Sequence, residues 1–325
     1  MIAPRVLSVA IINYETADLT ASCVRAIHRS PPREPYEVLI VDNGSSEATL
    51  ASLRRIEAAR LVETGRNGGF AAGVNRCMAE ADPTADVVVV LNSDTEVEPG
   101  ALDALAAAAR RPGVGLAAPV VLHPDRTVQR SAHRRFPTLW STWMSLSIPL
   151  VFVQALLERF VPHPSSLSVA EHEAGERPLH VMGAVMAFDR AAWEDAGRFD
   201  ERFFMYLEET EWQRRLHAAG WRVELVPQAR VLHLHRGGDD AIGVPPLTYL
   251  DSTRIYFGAL GRSDLAIRAT LASSLFTSWL ALLLYSPFSR WSPRHRRIVA
   301  ASRPLAWRGA LHVVRGRTVP RPDVA

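Results

Sequence analysis

Short apolar runs alternate with longer stretches of mixed polarity through the first third of the chain. The runs are rich in Val, Ile and Leu, and the stretches between them have the spacing of amphipathic helices. The runs cover residues 6–12, 37–43, 61–64, 87–92 and 114–122. Strands that alternate with helices favour a parallel sheet covered by helices on both faces. The pattern therefore predicts an α/β fold with a doubly wound, mostly parallel sheet.

The alternation breaks in the middle of the chain and then returns. Residues 136–178 are first aromatic and apolar and then polar, which indicates an insertion beside the sheet and not another strand. Strand character returns at residues 181–189, and two further short strands are expected at 223–227 and 229–235. Before these two strands, residues 208–220 have helical spacing and end on a glycine, a common helix stop.

The charge of the chain is divided unevenly between its two parts. Residues 241–325 contain 12 Arg and 3 Asp, a net charge of +9, whereas residues 1–240 contain 25 Arg and 31 acidic residues, a net charge of −6; the two sum to +3. Residues 269–288 carry no charge, over about the length that a membrane-spanning helix needs. A basic and apolar tail is typical of association with an anionic membrane surface.

We therefore predict a catalytic or binding unit at residues 1–240 and a helical, membrane-associating extension at residues 241–325. The hydroxyl residues within 269–288 suit a helix in the membrane surface, or one packed on the protein, as well as a spanning helix. Nucleic acid is not an expected partner, because aromatic and basic residues are not interleaved into a stacking platform. A hydrophobic content of 48% excludes a disordered chain, and two cysteines without metal-type spacing fit a reducing compartment.

Polar side chains follow several of the predicted strands at their carboxyl ends. These side chains are Asn13, Asp42, Asn67, Asn92 and Asp94. In an open α/β sheet, ligands bind beyond the carboxyl ends of the strands. We therefore expect the five side chains to lie along one ligand-binding edge.

Asn92 and Asp94 end a run of five apolar residues, 87–91. Side chains at positions i and i+2 of a strand end point the same way, so the two residues are placed to hold one metal ion together. The alternative is structural: Asp94 or Thr95 would cap a helix that begins after Pro99. The residues alone leave both interpretations open.

The glycine-rich segment 65–75 lacks the order of a dinucleotide-binding motif and follows the third predicted strand, not the first. Gly68 and Gly69 would still let the backbone approach a ligand closely before a helix N-terminus. The alternative is a tight turn between a strand and a helix.

Three acids, Glu208, Glu209 and Glu211, stand within four residues among aromatic neighbours. Such surroundings can raise the pKa of a carboxyl for work as a general base, whereas the structural alternative is a favourable interaction with a helix N-terminus. His233 and His235 alternate on a predicted strand and so share a face. A single histidine is usually structural, but two on one face are candidate metal ligands.

Five segments stand in a characteristic order. They are VDN (41–43), NGGFAAGVN (67–75), LNSDTEVEPG (91–100), FDERFFMYLEETEWQRR (199–215) and PQARVLH (227–233). With this order the chain resembles family 2 glycosyltransferases over residues 5–240, and among them the rhamnosyltransferase-like enzymes that build bacterial polysaccharides. The resemblance implies a GT-A fold and transfer of a sugar from a nucleoside diphosphate, with inversion and with a divalent metal ion.

The resemblance also assigns residues to the donor. It implies that side chains after the first two strands contact the nucleotide base and that the glycine-rich loop covers the donor. The implied nucleotide-sugar-binding residues are Asn13, Glu15, Asp42, Asn67, Gly69, Asn75, Asn92 and Asp94. Residues 92–94 occupy the D-x-D position of the family, with Asn in place of the first Asp.

By the same resemblance, Glu209 is the catalytic base, although the family has Asp at this position. Glu208 and Gly183 are implied to orient the acceptor. The implied ligands of Mg²⁺ or Mn²⁺ are Asn92, Asp94 and His233, with His235 as the alternative to His233. Residues 179–184 depart from the Asp-Trp-containing segment of the family, which bears on the identity of the sugar.

The expected function is that of an inverting, metal-dependent glycosyltransferase at the cytoplasmic face of the cell membrane. It would move a sugar, with rhamnose from dTDP-rhamnose as the expected donor, to a lipid-linked or glycan acceptor. The alternatives are a galactofuranosyl- or other hexosyltransferase of the same family, a catalytically silent nucleotide-sugar-binding module, and a nucleotidyltransferase. The last would need a basic phosphate loop near the first strand, where the sequence has IINYETAD.

Overall fold

The computed structural model describes residues 6–147, 166–234, 245–285 and 293–319. The strands are β1 (Val6–Asn13), β2 (Tyr36–Asp42), β3 (Arg60–Glu63), β4 (Ala85–Asn92), β5 (Thr95–Val97), β6 (Val114–Leu122), β7 (Ala132–His133), β8 (His180–Val181), β9 (Val185–Asp189) and β10 (Arg222–His233). The helices are α1 (Ala17–Arg29), α2 (Glu47–Leu53), α3 (Gly69–Glu80), α4 (Ala101–Ala109), α5 (Leu139–Leu146), α6 (Val169–Ala174), α7 (Arg190–Ala196), α8 (Glu208–Ala218), α9 (Leu247–Ala259), α10 (Asp264–Tyr285) and α11 (Pro293–Val314).

Eight of the strands form one mixed sheet, in the order β3-β2-β1-β4-β9-β6-β10-β5. Strands β3, β2, β1 and β4 are parallel, as are β6 and β10, whereas β9 runs antiparallel between β4 and β6. Strand β5 pairs antiparallel with β10. The prediction of an α/β fold with a mostly parallel sheet is confirmed, and the antiparallel β9 and β5 are additions to it.

The valine-rich strand β4 lies in the middle of the sheet and is buried on both faces. Val88 and Val90 belong to the apolar cluster shared with α3, α7 and α8. Val87 and Val89 belong to the cluster on the opposite face, shared with α1 and α4. Because successive strand residues point to opposite faces, a strand covered by helices on both sides needs a continuous apolar run. This explains why the run ends only where the strand leaves the sheet.

The prediction of two short strands at residues 223–227 and 229–235 is wrong. The chain forms a single strand, β10, whose pairing with β6 shifts register between Val226 and Arg230. Pro227 lies in the shifted stretch and has no amide hydrogen to donate to the ladder, so pairing is interrupted without ending the strand. Conversely, the strand predicted at residues 181–189 is divided into β8 and β9.

The described part of the C-terminal region is helical, as expected. Helices α9, α10 and α11 share an apolar cluster with α5 from the predicted insertion. The same cluster contains Phe203 and Leu207, which lie in the loop that leads into α8. The C-terminal helices therefore pack directly against the segment that positions Glu208 and Glu209.

Candidate active site

The ends of β1 and β2 are joined by a buried polar network. Asn13 and Asp42 are register partners, and the Asn13 amide donates to Asp42 Oδ1 at 2.6 Å and to Ser45 Oγ at 3.1 Å. The Asn13 oxygen accepts from the Thr20 hydroxyl at 2.8 Å. Asn13 is completely buried. Its amide holds Asp42, and the predicted contact of Asn13 with the nucleotide stays a prediction.

Asp42 and Glu15 each fix a neighbouring turn. The second oxygen of Asp42 accepts from the backbone amides of Gly44 and Ser45, at 3.1 and 2.9 Å. Glu15 joins this network through its backbone amide, which donates to Ser45 Oγ at 2.8 Å. Its carboxylate accepts from the Ser46 amide at 2.6 Å and from the Thr49 hydroxyl at 2.5 Å. The hydrogen bond from Thr49, followed by that from Ser46, lowers the pKa of Glu15. The two carboxylates thus hold the backbone amides of residues 44–46, in the turn between β2 and α2.

The glycine-rich loop is tied to the end of β2 by Asn43, a residue that the sequence analysis did not select. The Asn43 amide donates to the Gly69 carbonyl at 2.9 Å and to Asn67 Oδ1 at 3.2 Å. Asn67 Oδ1 also accepts from the Gly69 amide at 3.0 Å. The triplet VDN carried the signal for Asn43, but only its aspartate was chosen. Asn67 and Gly69 do lie at the predicted edge, beside the end of β2.

Gly69 is required at its position by a close approach of two loops. It has φ of +84°, and a Cβ atom there would lie 2.2 Å from the Phe204 carbonyl oxygen. The next residue, Phe70, donates its amide to that same oxygen at 2.8 Å. The loop before α3 is therefore fastened to the loop before α8.

Asn75 makes a second connection between α3 and the segment before α8. Its side-chain amide donates to the Phe199 carbonyl at 3.0 Å and to the Glu201 carboxylate at 2.7 Å, and its oxygen accepts from the Phe199 amide at 2.9 Å. The residue is buried. The polar atoms of Asn75 are engaged with residues 199–201, and its predicted contact with the donor stays a prediction.

Asp94 and His233 are brought together by the pairing of β5 with β10. Their closest side-chain atoms, Asp94 Oδ1 and His233 Nε2, are 3.3 Å apart. The Leu234 amide donates to the Asp94 carbonyl at 2.8 Å, which fixes the backbones at the same place. On its other side, His233 Nδ1 is 3.1 Å from the Gln129 side-chain oxygen, a partner that the sequence analysis missed.

The structure excludes one of the two interpretations of the end of β4, and the metal site stays a prediction. The N-cap of α4 is Gly100, with no side-chain cap, so the capping role considered for Asp94 or Thr95 is wrong. Asn92 is the last residue of β4 and holds the turn through its carbonyl, which accepts from the Thr95 hydroxyl at 2.7 Å. His235 lies outside the described residues.

The chemistry of Asp94 and His233 fits a divalent cation. When Nδ1 carries the proton and donates to Gln129, Nε2 keeps a lone pair that faces the carboxylate of Asp94. Oxygen and imidazole nitrogen are donors that Mn²⁺ accepts, and Mg²⁺ takes oxygen ligands. Within the described ranges, no group of three or more His, Cys, Asp or Glu residues is arranged to hold a metal ion. Among the described residues, Asn92 is the further ligand that the sequence analysis predicts, and water or a bound substrate would supply others.

Glu208 and Glu209 open α8 in different environments. Two residues with left-handed backbone, Tyr206 and Leu207, turn the chain into the helix. Glu208 is buried, and its Oε2 has no hydrogen-bond partner within the described structure; burial, followed by the charge of Glu209, raises its pKa well above the usual value. Glu209 is half-buried, and burial raises its pKa to about 7.

One short segment connects the Glu209 helix to the Asn92 strand end. Gln213, buried in α8, bonds the backbone amide and carbonyl of Val181 at 2.8 Å each. Three residues later, the Ala184 carbonyl accepts from the Asn92 amide at 3.0 Å. Gly183 lies between them, and a Cβ atom there would lie 3.1 Å from the Phe70 ring. Gln213, which the sequence analysis missed, therefore holds this segment between the candidate base and the candidate metal position.

Comparison with known proteins gives consistent relatives. An N-acetylglucosaminyl-diphospho-decaprenol L-rhamnosyltransferase of Mycobacterium tuberculosis (strain CDC 1551 / Oshkosh) is 34% identical over 252 residues, which cover 72% of this chain and 78% of that protein. The mannosyltransferase PcManGT of Pyrobaculum calidifontis, solved with GDP-Man and Mn²⁺, superposes with a TM-score of 0.53 at 20% identity, over 97% of this chain and 88% of that one. GalNAc-T7, solved with UDP, GalNAc and Mn²⁺, superposes with a TM-score of 0.56 at 15% identity. This similarity covers 78% of this chain and 48% of GalNAc-T7.

The two structural similarities establish the fold alone, because sequence identities of 15% and 20% are too low to indicate a shared function. The family itself is established by sequence. A model of glycosyl transferase family 2 matches residues 8–164, and a model of glycosyl transferase family group 2 matches residues 87–311. Together with the mycobacterial relative, these matches show that this chain is a glycosyltransferase and belongs to glycosyl transferase family 2.

Proposed function

We propose that this glycosyltransferase transfers rhamnose from dTDP-rhamnose, with inversion, to a lipid-linked acceptor used in cell-envelope polysaccharide synthesis. The observation that carries the proposal is the connection through residues 181–184, which ties α8, the helix that bears Glu209, to the end of β4 at Asn92, two residues before Asp94. Transfer with inversion needs a base and a site for the leaving diphosphate on opposite sides of one sugar. The name of the mycobacterial relative supports the sugar and the class of acceptor.

In this proposal Glu209 removes the proton of the acceptor hydroxyl as that oxygen attacks the anomeric carbon. The bond between the anomeric carbon and the diphosphate oxygen breaks, and the proton remains on Glu209. The environment of Glu209 suits the task, because burial holds its pKa near the pH at which it must exchange a proton. The buried Glu208 and Gly183, which lies next to Phe70, would shape the part of the site that binds the acceptor.

The donor would lie along the edge formed by the ends of β1, β2 and β4. There Asp42 and Glu15 hold the turns beneath the nucleotide, while Asn67 and Gly69 form the loop beside it. Asn92, Asp94 and His233 would hold Mg²⁺ or Mn²⁺. When bound, such an ion neutralises the charge that develops on the leaving diphosphate. The chain would work at the cytoplasmic face of the membrane, where a polyprenyl-linked acceptor presents its sugar.

The test uses the full-length chain with polyprenyl-diphosphate N-acetylglucosamine as acceptor. dTDP-rhamnose is compared with UDP-galactofuranose, UDP-N-acetylglucosamine and GDP-mannose, each with Mg²⁺, with Mn²⁺ and with EDTA. We expect transfer from dTDP-rhamnose that EDTA abolishes, and loss of metal-stimulated donor binding in Asp94→Ala. Transfer from another donor in place of dTDP-rhamnose would contradict rhamnose as the transferred sugar. Full activity in EDTA would contradict the role of a divalent metal ion.

A further inference from the structure

Helix α10 is apolar on both of its faces, but only one face is covered by protein. Its buried face contains Ile267, Leu271, Leu275 and Leu282, which pack with α5, α9 and α11. The opposite face is exposed and contains Phe276, Leu280, Leu283 and Leu284. Leu284 is 65% exposed. An apolar face of this length at the surface needs a partner, because soluble proteins seldom leave large contiguous apolar patches in water.

The exposed face continues across α5 and α11 as a band of aromatic rings. Trp140, 66% exposed, stacks on Trp143, whose indole nitrogen donates to Ser273 of α10 at 3.0 Å. Farther along, Trp279 lies between Phe276 and Trp307, with ring centroids at 5.7 and 5.3 Å. We call this surface the aromatic face and define it by Trp140, Phe276, Leu280, Leu283, Leu284 and Trp307. Tryptophan is enriched where proteins meet the headgroup region of a bilayer.

The charge of the C-terminal segment indicates the class of partner that the aromatic face would bind. Residues 265–322 contain ten arginines and no acidic residue. Arg303 and Arg308 are exposed on α11, and Arg303 stands one helical turn from Trp307. A surface that combines exposed apolar side chains, tryptophans and arginines is complementary to an anionic lipid leaflet.

The hydroxyl residues of α10 are compatible with this surface. The Ser278 hydroxyl donates to the Leu146 carbonyl, and the Thr277 hydroxyl donates to the Ser273 carbonyl at 2.8 Å. Because both hydroxyls donate to backbone carbonyls of the protein, they need no hydrogen bond to water at a membrane surface. Residues Asp264–Leu284 are long and apolar enough to cross a membrane by length and composition. However, neighbouring helices cover the four buried residues of α10. A helix that crossed the membrane alone would lose these packing contacts.

We propose that the aromatic face docks in the plane of an anionic membrane surface, with α10 lying on the membrane and not spanning it. This inference rests on the proposed function and deepens it. It places α10 and α11, which pack with the loop that leads into α8 and Glu209, at the lipid headgroups. Ser252 of α9 donates to the Met205 carbonyl at 2.7 Å, and the ring of Tyr249 lies 5.8 Å from that of Tyr206. Among the described residues, α9 therefore connects the docked helix to the loop that leads into α8.

The test measures sedimentation of the full-length chain, purified without detergent, with vesicles that contain no acceptor. Phosphatidylcholine vesicles with phosphatidylglycerol are compared with phosphatidylcholine alone. We expect binding to the anionic vesicles that weakens with salt and is reversed by carbonate at high pH. Leu280→Ser with Leu284→Ser should lower the affinity at least about tenfold, since two partly inserted leucines are lost. Arg303→Gln with Arg308→Gln should lower the preference for anionic vesicles about tenfold.

Leu179→Ser is the matched control, because Leu179 and Leu280 are both 39% exposed and Leu179 lies outside the aromatic face. It should bind vesicles as the parent does. Unchanged binding of the Leu280 and Leu284 variant would overturn the proposal. Binding that resists carbonate would show a spanning helix, and a dimer that dissociates in this variant without loss of vesicle binding would show an interface between copies. Vesicle binding without rhamnosyl transfer would leave docking in place and contradict only the proposed function.

Discussion

At the scale of single residues, Glu208 and Glu209 show how position divides two identical side chains. Both stand in the first turn of α8, where the helix dipole favours a negative charge, yet burial raises the pKa of each. Glu208 is sealed in the protein, whereas Glu209 is half-buried and within reach of a ligand. Only Glu209 combines access with a pKa near neutrality, so it is the better candidate for the base.

Replacement of Glu209 by Gln keeps the shape of the side chain and removes its basicity. We expect turnover to fall by ~10²–10⁴, the usual contribution of a general base, while donor binding measured by calorimetry is retained. In the parent enzyme, turnover should rise with pH through about 7, because the base must be deprotonated. Glu208→Gln is the adjacent comparison. Near-normal turnover in Glu209→Gln with a collapse in Glu208→Gln would show that the other carboxyl is the base.

Glu208 should also make stability depend on pH. Its pKa in the folded state is raised above that of the unfolded chain, so over the intervening pH range the native state binds more protons. The free energy of unfolding contributed by this group therefore falls as pH rises above the unfolded value of about 4.3. Glu208→Gln should remove this part of the slope, which urea unfolding at a series of pH values measures. An identical slope in parent and variant would contradict a raised pKa.

The sequence predicted where the polar residues gather but not what each of them contacts. Asp94 and His233 were found from pattern and resemblance, and the structure places them 3.3 Å apart. Gln129 and Gln213 were missed, because neither follows a predicted strand end or belongs to a selected motif position, and their partners lie 104 and 32 positions away. The protein partners of Asn75 lie 124 and 126 positions along the chain, and no local pattern indicates them. Long-range pairing of this kind is a property of the fold and not of local pattern.

At the scale of elements, the alternation of apolar and polar runs predicted the parallel strands because each follows its helix in sequence. It did not predict that β9 runs antiparallel between β4 and β6. The direction of β9 depends on the path of the preceding insertion, about which the spacing of apolar residues within β9 carries no information. The single strand β10 was likewise divided in the prediction, since Pro227 is a normal signal for a strand end.

The contact between the loops before α3 and α8 can be tested with two glycines. Gly69→Ala places a Cβ atom 2.2 Å from a backbone oxygen at a positive φ, so we expect a loss of about 3 kcal/mol or more in unfolding free energy. Gly65→Ala is the matched control, because Gly65 also has a positive φ but nothing lies within 4 Å of its added Cβ. It should cost only about 1 kcal/mol. Equal losses in the two variants, measured by urea unfolding, would mean that the loops can separate without cost.

At the scale of the whole molecule, the C-terminal helices act as a support for the candidate active site. Leu250, Tyr256 and Phe257 of α9 are almost completely buried in the cluster that α10 and α11 complete. Tyr249 of α9, whose pKa burial raises, has its ring 5.8 Å from that of Tyr206, in the loop that leads into α8. The uneven charge of the chain matches this arrangement. The basic C-terminal helices pack against the acidic α/β unit next to the loop that leads into α8.

Deletion of residues 265–325 should consequently do more than release the protein from a membrane. It removes α10 and α11 and exposes the apolar side of α9, which contacts the loop that begins α8 through Ser252 and Met205. We expect a lower Tm and at least about tenfold slower transfer to a soluble acceptor analogue, because a loosened loop no longer holds Glu209 in position. The variant Leu280→Ser with Leu284→Ser, which keeps the buried face of α10, should retain transfer to the same analogue. A truncated protein that melts like the parent and transfers at the full rate would show instead that these helices serve only as an anchor.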